Sequence, residues 1–219
     1  MKILAIAVLV ALAIFLVLYV TLIGRRRLAQ RTTTLVPVPP PVPGEVGPVR
    51  FGPLEAVYVS TTLHGDWLAR VGAHGLGNRS SALVSVHDGG PVHENSSGHD
   101  GGVLVERDGT QDLWVPVNAI RSAGLAPGMA GKYVGADGLV VLTWAVPEAD
   151  GVAAALVDTG LRTRRAEDRG GLVDAVRYLL AAHQGQQQGP QQTQQQTQQI
   201  QQYPEQDPYP QDPYQQEAR

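Results

Sequence analysis

Ala154-Ala-Leu-Val-Asp-Thr-Gly160 is followed by Gly171-Leu-Val-Asp-Ala-Val-Arg-Tyr-Leu-Leu-Ala-Ala-His183, and the hydrophobic period changes between them. The first run is short, β-rich and closed by glycine, which predicts a strand. In the second, Leu172, Val176, Leu179 and Leu180 fall at i, i+4, i+7 and i+8, one face of a helix. Asp174 near its start and His183 at its end suit the helix dipole. One helix after a series of strands predicts a helix that caps the open end of a small β-barrel or sandwich.

The strands lie upstream. Val57–Leu63, Ala82–His87, Gly102–Arg107 and Asp112–Val117 are rich in Val, Leu and Thr and punctuated by Gly and Asp. Pro116 predicts a strand end or an edge. Gly131–Gly135 and Leu139–Val146 flank Ala136-Asp-Gly138, an Asp-Gly turn signal, and predict a hairpin. With 154–160 this makes seven strands at short spacing, mainly β and antiparallel.

At the amino end, Ile3 to Ile23 is apolar except for Tyr19 and Thr21, and Arg25, Arg26 and Arg27 follow at once. A helix of that length is about 30 Å long, the thickness of a bilayer core. Basic residues resist translocation, so Arg25–Arg27 and Arg31 predict a single-pass anchor with the carboxyl side in the cytoplasm. A cleaved signal would carry its charge before a shorter run and a small-x-small site after it. Next comes Leu35-Val-Pro-Val-Pro-Pro-Pro-Val-Pro-Gly44, too proline-dense for helix or ladder, which predicts a stiff extended spacer. From Gln184 glutamine dominates and aliphatic residues nearly vanish, so the tail is expected to be disordered. The organisation expected is an anchor at 1–24, a basic juxtamembrane and Pro-rich linker at 25–53, a folded domain at 54–183, and a Gln-rich tail at 184–219.

Net charge is -3, split as +5 over residues 1–44, -5 over 45–183 and -3 over the tail. An acidic domain argues against nucleic acid, whose phosphates need a basic face. With no cysteine, disulfides and thiol chemistry are excluded.

Tyr58-Val-Ser-Thr-Thr-Leu-His-Gly-Asp-Trp-Leu-Ala-Arg70, His74-Gly-Leu-Gly77, Ala130-Gly-Lys132, Leu142-Thr-Trp144 and Asp158-Thr-Gly-Leu-Arg162 together resemble the actinobacterial membrane-anchored PH-like proteins. Members often carry a transporter or export label. The resemblance covers residues 1 to 183. It implies a PH-like seven-stranded barrel on a single-pass anchor, and a link to pyrimidine-biosynthesis enzymes. One helix encloses no substrate path, so a transporter role would be that of an accessory subunit.

No Walker loop, dinucleotide fingerprint, His-Glu-x-x-His or Gly-x-Ser-x-Gly elbow occurs, so no enzyme activity and no cofactor are expected. His87, His93 and His99, each followed by an acid, are weak candidates for a metal site in a Gly- and Ser-rich loop. A phosphoinositide needs several bases at the first turn. There His64-Gly-Asp-Trp67 offers an acid instead, with Arg70 and Arg79 nearby. Trp67, Arg70 and Trp114 are the expected contact residues for a protein partner: Trp67 flanks a turn, and Trp114 lies on an expected edge strand. The function expected is a membrane-tethered, non-catalytic interaction module. The alternatives are an accessory part of a transport complex and a metal- or ligand-binding module.

Overall fold

The computed structural model describes residues 6, 8–20, 32–89 and 101–202, with only the backbone given from 186 onward. Among these residues nine strands are formed: β1 (Val49–Leu63), β2 (Ser80–His87), β3 (Gly102–Arg107), β4 (Leu113–Pro116), β5 (Ile120–Ala126), β6 (Gly128–Met129), β7 (Lys132–Tyr133), β8 (Leu139–Val146) and β9 (Ala155–Thr163). Seven make one antiparallel sheet in the order β4-β3-β2-β1-β9-β8-β5. The long β1 is shared, pairing with β2 through its first half and with β9 through its second. A register shift between Tyr58 and Ser60 separates the two stretches that pair with β9. Such a bulge bends a strand and lets one sheet fold over on itself.

Alternation places Tyr58, Val84, Val86, Val103, Val105, Leu142, Trp144, Val157 and Leu161 inside, all fully buried. The C-terminal helix (Asp168–Gln202) closes this core with Leu172, Val173, Val176 and Leu179 buried, and Leu180 packed at its margin. Its apolar face is thus the one read from the period, widened by Val173. Gly171 lets the helix start close to β1, because a Cβ there would lie 2.8 Å from the Phe51 ring.

A chain of hydrogen bonds runs through the core. The Trp144 indole N–H donates to Thr159 Oγ1 (2.9 Å), Thr159 Oγ1 meets Thr61 Oγ1 (2.8 Å), Thr61 Oγ1 meets the Tyr58 hydroxyl (2.5 Å), and Tyr58 donates to the Leu76 carbonyl (2.8 Å). The ends set its direction: an indole can only donate and a carbonyl can only accept. Every hydroxyl between therefore accepts from the Trp144 side and donates toward Leu76. The chain links β8, β9, β1 and the loop after β1. Arg107, itself buried, stacks 4.6 Å over the Tyr58 ring.

The expected hairpin is corrected. Leu139–Val146 does not form a hairpin with Gly131–Gly135; it pairs with β5 and β9. The Asp137-Gly138 turn is present, with Asp137 at φ 53°. The strand that completes the sheet is Ile120-Arg-Ser-Ala-Gly-Leu-Ala126, whose small residues carry little β-propensity. Lys132–Tyr133 instead forms a two-residue hairpin with β6 across Ala130 and Gly131, both at positive φ, as a type I′ turn requires.

The segment expected as a free linker belongs to the fold. Val36 is fully buried within the core, and Thr32 Oγ1 accepts from the Gly72 and Ala73 N–H groups at 3.0 and 2.8 Å. The chain divides into units at 1–181 and 182–219, where the expected boundary is 183. The helix backbone nevertheless runs past that boundary to Gln202, consistent with glutamine's fair helix propensity. Residues 203–219 lie outside the described residues, as do Arg25–Arg27, His93, His99 and part of Ile3–Ile23. Residues 8–20 are helical and exposed. Among the described residues, no helix is long and apolar enough to cross a membrane.

Burial pushes the Tyr58 hydroxyl up from 10.0 to about 12. The folded state therefore holds the proton more tightly than the unfolded one. This stabilisation is complete below pH 10 and is lost as pH rises toward 12, a span worth about 3 kcal/mol at most. Denaturant titrations across that range should show stability falling. Tyr58→Phe should flatten this dependence and cost about 1–2 kcal/mol at neutral pH, because the Thr61 hydroxyl loses its acceptor while the Leu76 carbonyl keeps only the Thr61 N–H.

Candidate partner-binding surface

Trp67 sits in the turn after β1. The Asp66 carboxylate accepts from the N–H groups of Leu68 (2.9 Å) and Ala69 (3.2 Å), so the acid of this turn is spent on its own backbone. That leaves Trp67 and Leu68 at the tip, 54% and 60% exposed. The hairpin β6–β7 abuts the turn. The Ala130 N–H donates to the Trp67 carbonyl at 2.7 Å, and a Cβ on Gly131 would touch Leu68 at 3.7 Å. Met129 on the inner side of this hairpin is buried with Val59 and Leu139, against the outer face of the sheet. Gly160 makes room for it, since a Cβ there would lie 2.7 Å from the Met129 sulfur.

Arg70 is not a free contact residue. It is half-buried, and its guanidinium donates to Ser60 Oγ (3.1 Å) and to the Gly77 carbonyl. Its role is to hold the loop after β1. Arg79 is exposed, so the first turn has one available base where a phosphorylated headgroup needs several.

Trp114 is corrected more sharply. It lies on an edge strand, as expected, but is only 2% exposed. Leu113 and Val115 face the core, so alternation turns Trp114 to the outer face beside Ser85 and His87. The proline segment runs beside that face. Pro40, Pro41, Pro43 and Trp114 line one hollow of about 700 Å³. Gly102 leaves space for the indole, since a Cβ there would lie 2.6 Å from the ring.

His87 anchors this strap. Its Nδ1 lies 2.7 Å from the Gly47 carbonyl and must carry the proton, so Nε2, 2.8 Å from Ser85 Oγ, accepts. Both ring nitrogens are engaged, and the ring packs edge-on to Trp114. A metal would have to break one of these bonds, so His87 is corrected from metal candidate to strap anchor. His93 and His99 are outside the described residues, among which no group of three or more His, Asp or Glu could hold a metal ion. The strap's other end is held by His74, whose Nε2 lies 3.1 Å from the Val36 carbonyl.

The sheet's other edge is β5. No strand pairs with the outer side of β5 among the described residues. Leu125 is 44% exposed, and a Cβ on Gly124 would meet nothing within 4 Å. Arg177 of the C-terminal helix reaches the Ala123 carbonyl at 3.1 Å, so the helix borders this edge. Sequence reasoning missed the surface because it missed the strand. The signal available was the sparse alternation of Ile120, Ala123 and Leu125.

A separate groove of about 780 Å³ crosses the outer faces of β1, β2 and β9. Arg162 and Arg164 stand in it with Glu55, Glu106, Asp108 and Asp112, and Arg164 pairs with Glu55. Mixed signs at such spacing do not concentrate an anion.

A bent antiparallel sheet of seven strands closed by a carboxyl-terminal helix defines a PH-like domain. The Bacterial PH domain-like family matches residues 36–177, and the chain belongs to it. The match begins at Val36, the first residue of the core, so the strap is part of the family's domain. No curated protein and no solved structure matches the chain.

His87→Ala should release the strap at Gly47 and expose Trp114. The expected signs are a loss of about 1–3 kcal/mol in denaturant unfolding and a red shift of tryptophan emission. Zinc uptake of the purified protein, measured by calorimetry, should not change.

Proposed function

We propose that this chain is a membrane-tethered, non-catalytic module whose PH-like domain captures another protein by strand addition to β5. The observation that carries the reading is the unpaired β5 edge beside the C-terminal helix. An extended peptide laid there would gain main-chain hydrogen bonds from the edge and side-chain contacts from Leu125 and the helix flank. The surface differs from the Trp114 edge expected from sequence, because Trp114 is buried and offers that edge no exposed anchor.

The tether reading rests on two observations. Ile3–Ile23 is apolar and followed by three arginines. Where this run is described, its large side chains are 50–69% exposed, with no protein surface over them. Lipid would supply the missing cover, with the domain on the arginine-rich, cytoplasmic side. Tethering would raise the partner's effective concentration at the membrane without a new contact. A pyrimidine-biosynthesis enzyme or a second copy of this chain is the partner we would look for first. In support of a non-catalytic role, the Thr61 and Thr159 hydroxyls are committed to the buried chain.

Crosslinking of amino-terminally tagged full-length protein in intact cells tests the reading. Gly124→Glu, at a half-buried position with open space around a Cβ, and Leu125→Arg, at an exposed one, should leave the unfolding midpoint unchanged. Each should lower recovery of the specific partner about tenfold, the effect of losing about 1.4 kcal/mol of binding. Recovery unaffected by either substitution would overturn strand addition at β5.

A further inference from the structure

We propose that Trp67, Leu68 and Tyr133 form a second membrane contact, which seats this end of the domain in the interfacial layer of the bilayer. The inference rests on the tether reading and adds a lipid-facing surface to it.

The patch is built rather than incidental. The turn after β1 and the β6–β7 hairpin are joined by the Ala130–Trp67 hydrogen bond. Asp66 holds the turn so that its two largest apolar side chains are outermost. Tyr133 is 74% exposed, and it pairs with Gly128 on the hairpin face opposite the buried Met129. Lys132 is exposed beside it. Two aromatic residues with a leucine and a lysine are the side chains that suit the boundary between hydrocarbon and headgroups.

The choice of lipid over protein comes from where the incoming chain lands. Thr32, the first continuously described residue after the apolar run, is hydrogen-bonded to Gly72 and Ala73. Gly72 follows Leu68 by four residues, a reach of at most about 14 Å. Thr32 is nine residue steps after Ile23, at most about 32 Å. The end of the domain that receives the chain from the membrane is therefore the end that presents Trp67 and Leu68. A tethered patch meets the bilayer at high effective concentration, so three side chains suffice where a free domain would need more. Asp66 offsets Lys132, so the contact is apolar and does not require an anionic headgroup.

Fluorescence offers a specific test. The chain has three tryptophans, and Trp114 and Trp144 are 2% and 0% exposed. Quenching by bromine on lipid acyl chains therefore reports Trp67. Full-length protein is reconstituted into phosphatidylcholine vesicles, with and without brominated chains, and flotation is measured on the same samples. The expected result is flotation with quenched emission, the quenched component disappearing in Trp67→Phe. Leu68→Asp, at an exposed position, should still float while the docked fraction falls about tenfold. Flotation with Trp67 unquenched and open to aqueous iodide would overturn the lipid contact and leave the tether standing. Trp67 shielded from both quenchers would place protein on the patch and also overturn it. Protein that does not float would overturn the tether reading, and this inference with it.

Discussion

The buried chain from the Trp144 indole through Thr159, Thr61 and Tyr58 to the Leu76 carbonyl is the constraint on which the architecture depends. A hydrophobic core alone is non-directional and tolerates alternative packings. A polar chain in the same space does not. Each hydroxyl must find one donor and one acceptor, because an unpaired buried group costs about 1–3 kcal/mol. One register of β1 against β9 and one position of the loop at Leu76 satisfy all of them together. Arg107 extends the constraint outward: it stacks on Tyr58 and donates to the Gly75 and Gln111 carbonyls, linking the loop after β1 with the turn after β3.

The proline strap is the second determinant, and it acts on the surface. Two histidines hold it, His74 at Val36 and His87 at Gly47, so its ends are tied while its middle stays exposed. Proline suits this task because its fixed φ lowers the entropy lost on docking and its missing N–H needs no partner. The strap passes beside the outer face of β4, where Pro40, Pro41 and Pro43 line a hollow with Trp114. Trp114 is thereby left without an exposed face, whereas Trp67 keeps one.

The β5 edge and the Trp67 tip lie on different elements and suit different partners. The β5 edge offers main-chain groups in a row, which suits an extended peptide. The Trp67 tip offers exposed apolar and aromatic side chains without a groove, which suits a lipid boundary. A tethered domain with both would hold its partner at a set orientation to the membrane.

Much of the domain was legible in the sequence. The apolar face of the C-terminal helix, β3 and β8 to the residue, and the edge position of β4 all follow from period and composition, which are local properties of the chain. The pairing of β8 with β5, the burial of Trp114, the inward turn of Arg70 and the strap were not legible. Alternation states which side of a strand a residue takes but not what lies over that side. Trp114 does face outward from the core, and it is buried beside His87 and Gly102, with Pro40, Pro41 and Pro43, far away in sequence, lining the same hollow. By itself the sequence determined most of the strands, the helix and the apolar run ahead of them. Only the tertiary structure decided which strand completes the sheet and which tryptophan meets the outside, because pairing and exposure depend on contacts between segments that no local pattern encodes.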